Sequence, residues 1–260
     1  MRNFCLKIAY DGTAYCGWQR QAASHGQTVQ GVLEEGLSRL LQEPITLHGA
    51  GRTDAGVHAY GQCASFTTAN PMPLERIPAS LNRLLPADIV VREAWEVPPD
   101  FHARFSAKGK TYRYTMVAGD ADVFSWRYAY FHHQVLDYAA MQKGAALFCG
   151  NHAFQAFAAN GKRKISSYER QIYRCRLERV PLNLPLFPQT PPQEAWQLEI
   201  YGEGFLYKMV RLIGGALFAL GQGKLSHDDI ARALAGNGRH LAPPLPPQGL
   251  LLWQVHYEIS

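Results

Sequence analysis

Asp54 lies in the run Gly49-Ala50-Gly51-Arg52-Thr53-Asp54-Ala55-Gly56-Val57-His58, a glycine-rich loop between two strand-like segments. A carboxylate on a loop braced by strands on either side is suited to act as a nucleophile or a base. Gly49, Gly51 and Gly56 let the backbone turn sharply and let a substrate come close. The same loop serves equally as a hairpin turn in which Asp54 bonds neighbouring backbone groups. Arg52 can hold Asp54 as an anion or reach a nucleic acid backbone. By spacing alone it reads as a solvated loop arginine. His58 begins the next strand and reads as a structural hydrogen-bonding residue.

A second cluster runs from Phe101 to Tyr114 and alternates aromatics with His102, Arg104, Lys108, Lys110 and Arg113. Such interleaving suits a groove that holds phosphates while stacking a base, and equally a strand with a solvated basic face. Lys162-Arg163-Lys164 is a third basic run, on an expected exposed loop. Arg211 falls inside the apolar segment Phe205–Leu220. If it faces inward it needs a carboxylate partner, and Asp54 is a candidate.

The elements that must position these groups follow from periodicity. Residues 4–10 alternate as a strand. Thr28 caps a helix with Val29, Val32, Leu33, Leu37, Leu40 and Leu41 at helical spacing, stopped by Pro44. Ile45 to His48 and Tyr60 to Thr67 read as strands. A helix from Pro73 to Pro86 presents Leu74, Ile77, Leu81, Leu84 and Leu85 on one face, with Pro78 as a discordant residue. Asp88 to Val97 is a strand. This βαββαβ order is the ferredoxin-like, split-βαβ arrangement of the α+β class.

The second half predicts strands at 112–117, 128–132, 169–180, 196–201 and 249–257. It predicts helices after Asp137, over Phe205–Leu220 with a break at Gly214-Gly215, and after the capping residue Ser226. Pro181–Pro192, with five prolines, reads as an exposed insertion. Two domains, 1–105 and 106–260, are expected.

With 260 residues, 47% of them hydrophobic, the chain can bury a sizeable core. A net charge of +5 and a pI near 8.9 are compatible with a polyanionic partner. Five cysteines without a C-x-x-C pair suggest neither a disulfide framework nor a zinc site. The N-terminus does not read as a signal peptide, and no stretch is apolar enough to span a bilayer. A cytoplasmic protein without metal or membrane association is expected.

Taken in order, these motifs resemble the tRNA pseudouridine synthase A family. They are Tyr10-Asp11-Gly12-Thr13, Gly17-Trp18-Gln19-Arg20-Gln21, Gly51 to His58, Leu81-Asn82, Leu85 to Ile89, Phe101-His102-Ala103-Arg104, Lys110 to Tyr114, Met209-Val210-Arg211 and Gly249-Leu250. The resemblance covers nearly the whole chain, and the Gly-Arg-Thr-Asp-Ala-Gly-Val-His loop is its most specific part. It implies isomerisation of uridine to pseudouridine in the anticodon stem-loop of tRNA, at positions 38–40, by a homodimer without cofactor. The implied fold is two ferredoxin-like α+β domains with antiparallel sheets flanking a central basic cleft.

By the same resemblance, Asp54 matches the catalytic aspartate and Arg52 the arginine that helps displace the base and contacts RNA. Tyr112 matches the tyrosine stacked on the uracil, and Arg211 the basic residue paired with the aspartate. Leu250 matches an apolar residue packed on the base. Arg20, Lys108 and Lys110 are expected RNA contacts. The chain departs from the pattern at Ala153, where the family has an aspartate, in the Pro181–Pro192 segment, and in the proline-rich run Pro243–Pro247.

Rival readings fit less well. A haloacid-dehalogenase-type phosphatase would need an aspartate where Ala9 stands before Asp11-Gly12-Thr13. An aspartic protease would need Asp-Thr-Gly or Asp-Ser-Gly in place of Thr53-Asp54-Ala55. A non-catalytic RNA-binding protein suits the ferredoxin-like order, but an RNP1 aromatic signature is missing.

Overall fold

The structure, a computed structural model, describes residues 1–21, 26–121, 123–159, 165–181, 194–236 and 239–258. The basic run Lys162-Arg163-Lys164 and, beyond Pro181, the proline-rich segment to Pro192 lie outside the described residues. The chain folds as two compact units. Unit 1 comprises Met1–Lys108 with the chain from Leu251 on, and unit 2 comprises Gly109–Leu250.

In unit 1, β1 (Arg2–Tyr10) places Phe4, Leu6 and Ile8 in the core at 0% exposure. It pairs antiparallel with β3 (His58–Thr68) on one side and β4 (Ile89–Val97) on the other. Thr28 caps α1 (Val29–Leu41), its side chain accepting from the Gly31 amide at 3.3 Å. Val29, Leu33, Leu37 and Leu41 then fall on one buried face. The helix ends before Pro44 is reached. Gln42 adopts a left-handed φ of 56° and its Nε2 donates to the Arg39 carbonyl at 2.7 Å.

The strand expected at 45–48 contracts to β2 (His48–Gly49), antiparallel to Ser65 and Ala64 of β3. Side chains of α1 compete for the amides ahead of it. Ile45 N donates to Ser38 Oγ and Leu47 N to Glu34 Oε1, each at 2.9 Å. The second helix is also shorter than expected: α2 spans Arg76–Asn82, preceded by a turn at Pro73. Pro78 is its third residue, where a missing N–H breaks no intrahelical bond. Ile77 and Leu81 are buried, whereas Leu84 lies beyond the helix and is 38% exposed. Asn82 fastens the helix to β4 through two bonds to the Val91 backbone, at 2.9 and 2.8 Å. The order β4-β1-β3-β2, antiparallel throughout, is the split-βαβ pattern. β10 (Leu250–His256) adds to it, running parallel to the start of β3 with Leu251 opposite His58.

Unit 2 has the sheet order β5-β9-β8-β7, antiparallel throughout, from β5 (Gly109–Ala118), β7 (Gly150–Ala153), β8 (Glu169–Pro181) and β9 (Glu194–Gly202). β7 was not expected. It is only four residues long, and Ala153 at its end bridges to Ala235. β6 (Tyr130–His132) pairs parallel with β5 and starts later than expected, because Tyr128 closes a turn on Ser125. Asp137 caps α3 (Tyr138–Ala146). Ser226 and Asp229 form a full capping box on α5 (His227–Leu234).

α4 (Met209–Gly221) is continuous through Gly214-Gly215, contrary to the expected break. A Cβ on Gly215 would come within 2.1 Å of the Pro243 carbonyl oxygen, and one on Gly214 within 2.9 Å of Leu245. The pair is there to seat the proline-rich Pro243–Pro247 run against the helix. All five cysteines are free; Cys5, Cys63 and Cys175 are buried. Among the described residues no helix is long and apolar enough to cross a membrane.

Tyr112, Tyr114, Leu198, Ile200, Cys175 and Leu177 are buried in unit 2, while alternate residues form a charged row on the other face. Glu199, 5% exposed, receives Arg113 at 2.9 Å, Arg174 at 3.0 Å and Arg176 at 3.1 Å. Burial alone would raise the Glu199 carboxyl, but the guanidinium groups, led by Arg113, outweigh it and hold it below the usual carboxylate range. A depressed folded-state pKa stabilises the fold above the unfolded value, and that contribution is lost as pH falls through the folded value. Glu199→Gln is therefore expected to lower stability at neutral pH by about 2 kcal/mol. Urea midpoints of variant and parent should converge only as pH falls beneath the usual carboxylate range and through the lowered folded value, and a gap independent of pH would refute the charge account.

Candidate active site

The loop carrying Asp54 is held from four directions within unit 1. Gln62, 0% exposed, donates from Nε2 to the Gly51 carbonyl at 3.0 Å. The Tyr10 hydroxyl and Thr53 Oγ1 are 2.8 Å apart. The Trp18 amide donates to the Thr53 carbonyl at 3.1 Å, and the Val57 amide closes a turn on the Asp54 carbonyl at 3.1 Å. Gly56 completes that turn with a φ of 76°, a conformation L side chains rarely adopt. Asp54 itself is half-buried and Arg52 exposed. Burial pushes the Tyr10 phenol well above its ordinary range, against the pull of its bonds to Thr53 and Gln62, so it remains a neutral brace.

The segment Asp11–Trp18 backs this loop at close quarters. A Cβ on Gly12 would sit 2.0 Å from the Val57 carbonyl oxygen, and one on Gly17 would sit 2.6 Å from that of Thr53. Gly49, expected to admit a substrate, instead admits Trp18. A Cβ there would lie 2.4 Å from the indole nitrogen, and Trp18 is 1% exposed. His58 ties the same two segments together. Its Nδ1 is 3.0 Å from the Gly12 amide and 3.1 Å from Asp11 Oδ1. That one nitrogen accepts from Gly12 in the tautomer that leaves it bare and donates to Asp11 when it carries a proton.

Arg52 and Arg20 meet on a side-chain network that the sequence reading missed. Arg52 Nε donates to Gln19 Oε1 at 2.9 Å, and Gln19 Nε2 to Gln30 Oε1 at 2.7 Å. Arg20 reaches Glu34 at 3.1 Å. The signal was present in α1, where Gln30 and Glu34 stand one turn apart among apolar residues.

The expected basic aromatic cluster is divided between the units at Lys108 and Gly109. In unit 1, His102 meets His48 and Phe105 in tilted ring contacts, and Phe105 is 76% exposed beneath Arg104. Lys108 pairs with Glu258 at 3.4 Å, an exposed contact that holds it weakly. In unit 2, Lys110 is half-buried on β5 and Arg113 is turned to Glu199.

Unit 2 carries Tyr112, Arg211 and Leu250. Tyr112, 7% exposed, meets Phe205 edge-on at 4.9 Å. Arg211, 9% exposed, faces inward from α4. Its Nε donates to the Leu245 carbonyl at 2.7 Å, and its own carbonyl accepts from the Leu245 amide at 3.0 Å. The Tyr114 hydroxyl donates to the Pro246 carbonyl at 2.8 Å, and its ring fills the space beside Gly249. The chain leading into Leu250, itself 6% exposed, is thereby fixed from two sides. Asp54, Arg52, Arg20 and Lys108 thus belong to unit 1, and Tyr112, Arg211, Leu250 and Lys110 to unit 2.

Comparison with known proteins follows the same residues. Residues 7–106 and 145–258 match the family described as tRNA pseudouridine synthase. A tRNA pseudouridine synthase A from Geobacter sp. (strain M21) is 46% identical over 264 aligned residues, covering 99% of each chain. Its counterpart from Citrifermentans bemidjiense is 45% identical over 99% of this chain and 98% of its own. That from Moorella thermoacetica is 45% identical over 97% and 99%.

Proposed function

Since the chain belongs to the tRNA pseudouridine synthase family, we propose that it isomerises uridine to pseudouridine in tRNA, with Asp54 as the catalytic residue. The observation that carries this reading is the end-to-end match to tRNA pseudouridine synthase A enzymes, with the half-buried Asp54 on a loop braced by Gln62, Tyr10 and Trp18. The targets are uridines 38–40 of the anticodon stem-loop. The enzyme works in the cytoplasm as a homodimer.

The reaction breaks the bond from N1 to C1′, turns the uracil and forms a bond from C5 to C1′. The C5 proton leaves and N1 regains one, so there is no net redox change or hydrolysis. The uridine must first leave its stack, at a cost of about a few kcal/mol. Phosphate contacts from Arg20, Arg52, Lys108 and Lys110 offset that cost. Asp54 then acts on the ribosyl-uracil unit, and Arg211 favours its ionised form. Tyr112 stacks on the uracil beside Leu250, and its phenol oxygen accepts the C5 proton as the phenol's own proton passes to solvent, from which N1 is reprotonated.

Formation of pseudouridine is silent by mass, so the direct test is chemical derivatisation of treated tRNA, and wild-type protein that binds tRNA without forming product would refute the reading. Tyr112→Phe is expected to leave KM for tRNA near the parent value and lower kcat about a hundredfold. Tritium release from C5-labelled tRNA reads this, and an unchanged kcat would limit Tyr112 to stacking.

A further inference from the structure

α1 buries two polar residues on its apolar face. Gln30 and Glu34 are 6% and 4% exposed, among Val29, Leu33 and Leu37. A sequestered carboxylate is unfavourable unless it is hydrogen-bonded and its charge matched. Glu34 Oε1 accepts from the Leu47 amide and from Gln30 Nε2, each at 2.9 Å. Glu34 Oε2 lies 3.1 Å from an Arg20 guanidinium nitrogen, an ion pair that matches the buried charge.

Gln30 Nε2 also donates to the Leu47 carbonyl at 3.0 Å, so Glu34 and that carbonyl together dictate the direction of each bond. A carboxylate only accepts, so Gln30 must turn its NH2 group toward it and its oxygen the other way. Gln30 Oε1 then accepts from the Arg20 amide at 2.9 Å and from Gln19 Nε2 at 2.7 Å. Gln19 is thereby left with its own oxygen facing Arg52, whose Nε donates to it at 2.9 Å. The relay that starts at this buried charge, with the Leu47 carbonyl as a second acceptor for Gln30, runs through two amides and ends on two arginines at the surface, with Arg20 66% exposed.

We infer that Glu34 is a positioning residue, which through Gln30 and Gln19 holds Arg52 and Arg20 as a pre-set pair for the phosphate oxygens of the RNA substrate. This rests on the proposed function for the identity of the polyanion. Guanidinium groups already fixed in place lose less freedom on binding phosphate than unrestrained ones.

Glu34→Gln keeps the size and one acceptor oxygen while removing the charge. With full-length tRNA and tritium release, KM is expected to rise about tenfold, with kcat within about twofold of the parent. The slope of log KM against log salt should fall by about one phosphate contact. In a background lacking both arginines (Arg20→Ala with Arg52→Ala) the same substitution should do nothing further, because its effect runs through them. An equal loss in both backgrounds would make Glu34 merely structural and overturn the inference, as would an unchanged KM. Should Glu34→Gln fail to fold, Gln19→Ala decides: it cuts the relay outside the core and should raise KM at an unchanged melting temperature. An unchanged KM for Gln19→Ala overturns the relay. Wild-type protein that releases no tritium overturns the proposed function instead, independently of the ratio between variants.

Discussion

Replacing Asp54 by asparagine is expected to leave a folded protein that binds tRNA and forms no pseudouridine, a loss of more than about ten-thousandfold in turnover. Asparagine has the shape of aspartate, and four bonds that set the loop run through other atoms. They run from Gln62 to the Gly51 carbonyl, from Tyr10 to Thr53, from Trp18 to the Thr53 carbonyl and from Val57 to the Asp54 carbonyl. The loop should therefore keep its form. A neutral amide neither attacks a carbon centre nor abstracts a proton at neutral pH, so every proposed role of Asp54 is lost together. Removing a negative charge beside a polyanion cannot weaken attraction to it, so filter binding of tRNA should be equal or tighter. Wild-type-like tritium release by the variant would end the assignment of Asp54.

Gly12→Ala should be the most damaging conservative substitution near the site. The new methyl would lie 2.0 Å from the Val57 carbonyl oxygen and 2.6 Å from its carbon, both backbone atoms that cannot swing aside. The segment Asp11–Trp18 and the Asp54 loop must then part, straining the contact of the Gly12 amide with His58. Overpacking against backbone is expected to destabilise by about 3 kcal/mol. In a chain of this size that lowers the melting temperature by roughly 6–12 °C. The movement falls on Val57, whose amide closes the turn at Asp54, so turnover measured well below the melting temperature should also drop, by about a hundredfold for a displacement near 1 Å. Calorimetry and turnover separate the two effects. A variant with parental melting and rate would show that these segments do not constrain each other.

Much of this was legible in the residues themselves. The alternation of Phe4, Leu6 and Ile8 and the four-residue spacing of Leu33, Leu37 and Leu41 depend only on near neighbours, so β1 and α1 were readable, as were the caps at Thr28 and Ser226. The Asp54 loop stood out because its types and spacing are unusual within a few residues. Arg211 was legible as a charge in an apolar run; that it faces inward and clasps Leu245 was not.

Other features depended on segments that meet only on folding. Gly214-Gly215 looks like a helix break until Pro243 lies across it, and Gly49 looks like access for a substrate until Trp18 fills the space. The strand expected at 45–48 was lost to side chains of α1, which take its amides. Periodicity reports which face of an element is apolar, but not which distant backbone approaches within van der Waals contact or which buried amide a carboxylate will orient. The sequence by itself determined the elements, the caps and the acid in its loop. Only the tertiary structure decided what braces that loop and how Glu34 reaches Arg52, because close approach and hydrogen-bond direction are set between residues far apart along the chain.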